Sequence, residues 1–190
     1  MKKIICILTG AAAVLLAGCV SSVYPYFNAR DVVAEPALLG EWTVDTNKPE
    51  TEIWKFEQRE DLDYRYSVIK SDATNVLTVH AFKLDGQLLL DGCSQAQDYN
   101  MIPTHYLAKV IQTTPTLRLS LFNYDWLNDL VATNPGAIRH HMAQGDKPSD
   151  TLVVLTADTA ELQKFVHDNL NTEAAWSKNP DLYRMTPGKK

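Results

Sequence analysis

Five histidines, Cys93 and a scattering of acids are the side chains of this 190-residue chain that could do chemistry. His80, His105, His140, His141 and His167 fall in no His-x-x-x-His or His-Glu-x-x-His frame, and no Cys-x-x-Cys pair supports a zinc site. His140 and His141 could join Asp146 and Asp150 in a loop metal site. Adjacent side chains usually point different ways, so a solvated loop is expected there. Cys93 could couple with His80 or His105 as a nucleophile and base if the three shared one face. Nothing local activates the thiol, so Cys93 reads as a small buried apolar side chain. His105, two residues after Pro103, reads as a strand cap or a carbonyl donor. Asp91, Asp98, Asp125 and Asp129 could supply paired carboxylates for sugar hydrolysis, but solvated acids are expected. Asp125 and Asp129 are four apart on one helical face. The chain has no Gly-x-Ser-x-Gly and no Gly-rich phosphate loop. The reading assigns no catalytic residue, no metal and no cofactor.

Trp42, Trp54, Tyr64 and Tyr66, with His80 and His105, are the candidate lining of a ligand pocket. Trp126 is a further aromatic of the same kind. The competing reading is core, because aromatic rings in strands bury large areas.

The elements that must position these residues are mostly strands. Glu52–Phe56 alternates, with Trp54 and Phe56 on one face; Tyr64, Tyr66 and Val68 share a face of the next run. Leu77, Val79 and Ala81 alternate with Thr78, His80 and Phe82. Asp85-Gly86 then predicts a tight hairpin into Gln87–Leu90, since a type I′ turn needs positive φ at both central residues. Two longer strands are predicted at His105–Gln112 and Thr116–Phe122, the second with Leu117, Leu119 and Leu121 on one face. Trp126, Leu127, Leu130 and Val131 have helical spacing, stopped by Asn134-Pro135-Gly136. A strand at Leu152–Leu155 precedes a capping box, Asp158-Thr159-Ala160-Glu161, and a helix with the stripe Leu162, Phe165, Val166 and Leu170. Tyr183 and Met185 suggest a last short strand, and Lys189-Lys190 a loose tail. Consecutive short strands with tight turns predict a strand-dominated α+β fold. An antiparallel meander curls into a lipocalin-like or open barrel, with two helices in the C-terminal half.

At the N-terminus, Lys2 and Lys3 precede an apolar run of about fourteen residues, Ile4–Ala17, too short to span a bilayer, which takes roughly 20. It ends in Leu16-Ala17-Gly18-Cys19. This layout resembles a bacterial lipoprotein signal, cut just before the lipobox cysteine. The resemblance implies three parts: a signal peptide at 1–18, a lipidated Cys19 with a tether over 19–37, and one globular domain over 38–190. It implies a membrane protein of the cell envelope held by acyl chains, palmitate among them, each buried CH₂ contributing about 0.8 kcal/mol. Val20 after the cysteine, in place of Asp, favours the outer membrane over the inner one under the enteric sorting rule. Ser21, Ser22, Pro25, Asn28 and Pro36 give the tether its character. Tyr24, Tyr26 and Phe27 belong either at the lipid interface or against the domain.

Cleavage removes Cys6 and both N-terminal lysines. Sixteen basic residues against 23 acidic leave a formal charge of −7, which argues against nucleic acid and against docking on anionic headgroups. Only Cys93 stays a thiol, so no intramolecular disulfide forms and packing must supply the stability.

Gly40-Glu41-Trp42 resembles the Gly-x-Trp that opens lipocalin barrels. A broader set of segments resembles an uncharacterised lipocalin-like family of bacterial lipoproteins. These are Leu39–Trp42, Leu89–Asp91, Ile102–His105, Tyr124–Leu127 and Leu155–Leu162. The resemblance implies an envelope location and a shared architecture, and carries no chemistry. The expected function is that of a periplasm-facing, non-catalytic binding module for a small hydrophobic ligand or an envelope protein. The alternatives are an assembly factor of an outer-membrane complex and, behind it, a hydrolase.

Overall fold

A computed structural model describes residues 20–59, 62–94, 101–143 and 152–185. The signal region, Cys19, Asp98, Asp146, Asp150 and the Lys189-Lys190 tail lie outside the described residues.

The fold is strand-dominated α+β. A large sheet curls without closing, and the two α-helices of the described residues lie in the C-terminal half. The strands are β1 (Ser21–Ser22), β2 (Gly40–Thr43), β3 (Glu52–Gln58), β4 (Asp63–Lys70), β5 (Thr74–Leu84), β6 (Gln87–Ser94), β7 (His105–Gln112) and β8 (Arg118–Leu121). After α1 (Tyr124–Thr133) come β9 (His140–Ala143), β10 (Leu152–Leu155), α2 (Thr159–Asn169) and β11 (Tyr183–Arg184). The order across the sheet is β11-β2-β3-β4-β5-β6-β7-β1-β10-β9, with β8 also on β7. From β2 to β7 each strand pairs antiparallel with the next, the expected meander.

Local chemistry explains the meander's tightest joint. Asp85 and Gly86 take φ of 51° and 79°, the left-handed pair that the turn requires. Asp158 caps α2 by accepting from the Glu161 amide at 3.0 Å. The other half of the predicted box is not made. Glu161 instead accepts from the backbone and side chain of Arg139, 22 residues earlier. The predicted strand at Thr116–Phe122 is shorter than expected, because Leu117 and Phe122 bridge to Leu182 and Trp176 of the C-terminal segment. His140 and His141 lie in β9, not in a loop, because β10 supplies them with an antiparallel partner.

Both faces of the sheet are covered, so the fold has two apolar cores. One gathers Trp42, Phe56, Tyr64, Val79, Leu90 and Leu119 with Leu38, Leu117 and Leu182. The other packs Phe82, Leu89 and Leu107 against Leu127 and Val131 of α1, Leu162, Phe165 and Val166 of α2, and the N-terminal Val20 and Tyr26. Double coverage is why Leu88-Leu89-Leu90 is a continuous apolar run instead of an alternating one.

The N-terminal segment corrects the tether reading. Val20 and Ser22 are fully buried, and β1 lies inside the sheet, antiparallel to β7 and parallel to β10. Residues 23–31 stay attached to the domain. Val23 N–H donates to the Leu155 carbonyl, Thr159 Oγ1 donates to the Pro25 carbonyl at 2.8 Å, and Asn28 pairs with Gln163 at 2.9 Å. Tyr26 is buried against the domain, while Tyr24 stays half exposed. The serines and prolines that suggested a linker instead serve a two-residue strand and the bends after it. Ser22 sits where β7 and β10 leave a slot between them.

Candidate functional site

The middle of β6 carries an acid where the apolar pattern calls for none. Asp91 follows Leu88-Leu89-Leu90 and is 0% exposed. A buried carboxylate must be hydrogen-bonded or it is expensive. Two partners meet it. The Tyr26 backbone N–H donates to Oδ2 at 2.8 Å, and His105 Nδ1 lies 2.7 Å from Oδ1. Strand register delivers the histidine. Asp91 pairs with Leu107 and Cys93 with His105 across β6 and β7, so Asp91, Cys93 and His105 share one face.

The His105 side chain is 16% exposed. Burial opposes charge on the ring, but the hydrogen bonds to Asp91 and Cys93 and the charges of both outweigh it and push the pKa up to about 9. At neutral pH the ring is an imidazolium, so Nδ1 donates to the carboxylate. Cys93 is half-buried on the neighbouring strand; its Sγ also lies 3.5 Å from the Ser94 carbonyl. A carboxylate that orients an imidazole beside a thiol is the arrangement by which a thiolate is generated and held. The expectations for these residues are therefore corrected in detail. His105 bonds a carboxylate, not a carbonyl. Asp91 is buried, not solvated. Cys93 sits beside a cation instead of among apolar groups alone.

His80, in β5, occupies the same face, opposite Asp91 of β6 and Asp63 of β4. Its ring stacks on Phe27 with centroids 4.5 Å apart. Among the described residues, His80 Nδ1 and Asp63 Oδ1 are buried without a hydrogen-bond partner.

The candidate pocket residues divide between the two faces. Trp42, Trp54, Tyr64 and Tyr66 are cross-strand neighbours on one face, while His80 and His105 project from the other. Trp42 and Tyr64 are buried in the core, their polar ends satisfied by the Leu38 carbonyl and the Glu35 amide. Trp54 and Tyr66 pack edge to face, half-buried, at the rim of that core. Trp126, on α1, packs on Phe122 and on Phe165 of α2. Asp125 and Asp129 are exposed on α1, as their spacing predicts.

A polar surface cleft of about 380 Å³ lies elsewhere, lined by Asp85, Gln87, Lys109, His167 and Leu170. Its basic side chains are already engaged. Lys109 Nζ donates to the Leu170 carbonyl and sits 4.4 Å over the Trp176 ring, and His167 pairs with Asp85. Among the described residues no group of three or more His, Cys, Asp or Glu is placed to hold a metal ion.

The sequence placed Asp91 only among acids expected to be solvated, and its burial and pairing with His105 were missed. The available signal was an acid flanked by apolar residues within one strand, followed by Gly92 and Cys93. Its amide partner, Tyr26, is 65 positions away. Compared with known proteins, the chain matches no family model, no curated protein and no solved structure.

The raised pKa fixes a pH dependence. Folding raises His105 from its ordinary 6.5 to about 9, so its stabilising contribution is complete below pH 6.5 and is lost as pH rises through 9. Asp91→Asn is expected to cost on the order of 3 kcal/mol at pH 6, where it strands a buried cation, and to flatten the decline between pH 7 and 9.5. Urea unfolding at several pH values measures both. A variant that keeps the wild-type pH slope contradicts the assigned couple.

Proposed function

We propose that this protein is a lipoprotein of the cell envelope, anchored through Cys19 in the outer membrane with its domain facing the periplasm, and that the domain is a non-catalytic binding module for an envelope protein. The lipobox supports the anchoring. No helix among the described residues is long and apolar enough to cross a membrane, so the anchoring reading rests on the acylated cysteine. A protein partner is favoured over a small hydrophobic ligand by one observation. The aromatic side chains best suited to line an apolar pocket, Trp42 and Tyr64, are used up in the core, while Met101 and Ile102 stand 58% and 70% exposed beside β7. The lipocalin-like reading then applies to the curled strand meander and not to a ligand-filled interior.

A second reading, thiol-dependent hydrolysis, is favoured by the Asp91–His105–Cys93 series alone. It requires a reactive Cys93.

Three measurements separate these readings. Cys19→Ala is expected to abolish lipidation and release or mislocalise the protein; a variant that fractionates with membranes as the wild type does refutes the anchor. A photo-crosslinking residue at position 102, in intact cells, is expected to give one discrete protein adduct, while one at Lys178 gives none. Equal labelling at both sites, or an apolar molecule released from the purified protein, rejects the protein-partner reading. For the hydrolase, iodoacetamide at one fixed pH is expected to alkylate Cys93 several-fold faster in the wild type than in His105→Ala. Equal rates for the two remove that reading.

A further inference from the structure

Lys109, like Asp91, stands where the apolar pattern calls for no charge. In β7 it lies opposite Leu89 of β6, which lies opposite Phe82 of β5. Both of these are fully buried, so the row that ends in the lysine is otherwise core. Burial of the half-buried side chain holds its pKa below the ordinary lysine value. A cation placed there needs polar partners. Among the described residues they are the Leu170 carbonyl at 2.9 Å and the face of Trp176 at 4.4 Å, and neither is a carboxylate. An ammonium carries more donors than that one bond uses.

The neighbouring charges do not neutralise it. Asp85, the acid that shares the polar cleft with Lys109, is matched by His167, and the pairing raises the pKa of that ring. Asp168, beside His167 in α2, is matched by Lys164. The end of α2 supplies no free acceptors either. A helix C-terminus repels anions through its open carbonyls. Here Phe165, His167, Asn169 and Leu170 accept from Asn169 Nδ2, the Leu170 amide, Trp176 Nε1 and Lys109 Nζ. On the opposite wall Gln87 Nε2 donates to the Leu88 and Val110 carbonyls at 2.9 and 2.8 Å, which leaves the amide oxygen to accept. The cleft therefore offers one uncompensated cation and one amide acceptor, in a chain with 23 acidic residues against 18 basic ones.

We propose that this cleft is a binding site for a small organic carboxylate that carries a hydroxyl group. Lys109 binds the carboxylate, and Gln87 accepts from the hydroxyl. The volume of about 380 Å³ lies at the lower end of small-molecule sites, which run about 300–1,000 Å³, and suits a single sugar acid or hydroxy acid. The site uses neither Cys19 nor the surface at Ile102, so it stands or falls separately from the function proposed above.

The test titrates the full chain, in mild detergent at pH 6, with glucuronate while heteronuclear NMR follows the tryptophan indole N–H signals. Trp176 is the reporter, because its ring lies under Lys109 and its Nε1 bonds to Asn169; its signal is the one missing from Trp176→Phe. Glucuronate is expected to shift that signal saturably and to leave Trp42 and Trp54, in the other core, in place. Glucose, the same ring without a carboxylate, is expected to do nothing, and acetate to bind several-fold more weakly. Lys109→Met keeps an apolar stem over the ring and is expected to weaken glucuronate binding about tenfold or more. Asp85→Asn, which suits the left-handed turn position, removes the acid from the cleft. It is expected to tighten binding several-fold, and it tests the site even if Lys109→Met folds poorly. No saturable shift, glucose or inorganic phosphate binding as well as glucuronate, or an affinity that neither variant changes overturns the proposal.

Discussion

The buried Asp91 carboxylate is the constraint around which the centre of this protein is arranged. A charge with no solvent exposure must be matched locally, and its matches come from two other parts of the chain. The Tyr26 amide draws the N-terminal segment across the sheet, and the His105 ring fixes the side-chain arrangement between β6 and β7. A slip of one residue in that pairing would turn His105 to the other face and leave the carboxylate unpaired. The couple therefore specifies register as well as contributing stability.

The N-terminal segment depends on that arrangement. β1 has only two residues, too few to hold a place by its own ladder bonds. It stays because Val20 and Tyr26 bury apolar surface, Ser22 fills the slot beside His105, and the bends after it bond to β10, α2 and Asp91. The slot exists because β8 covers only the far half of the β7 edge, leaving the near half open. With β1 in place, β10 and β9 extend the sheet beyond β7 and carry it around without closing it. Residues 20–22, read from the sequence as part of a tether, are an interior element of the sheet.

The two-sided sheet also decides what its side chains can do. One face spends Trp42, Phe56 and Tyr64 on a core beneath the meander, and the other packs under α1 and α2. Polar chemistry is left to the row through His80, Asp91, Cys93 and His105, at the margin where helix cover gives way. A thiol and an imidazolium brought together there are consistent with a structural couple and with a reactive one. The two differ in whether the half-buried Cys93 reacts.

Much of the fold was legible from neighbours in sequence. The alternation of Leu117 and Leu119, the Asp85-Gly86 turn, the Asp158 cap and the stripe Leu162, Phe165, Val166 all depend on residues within a turn or a strand of one another. Local sterics and one-sided burial set them. The strand order of the meander followed, because short turns leave little choice of partner. What the sequence alone could not determine was every feature that depends on distant pairing. Ser22 beside His105 and Leu155, Glu161 turned to Arg139 instead of its own cap, and Asp91 joined to Tyr26 are of this kind. So is the placement of the aromatics and histidines on opposite faces. Periodicity reports that a face is buried, not what covers it. Only packing both faces of the sheet at once decided which distant segment supplied the cover and which polar groups met beneath it.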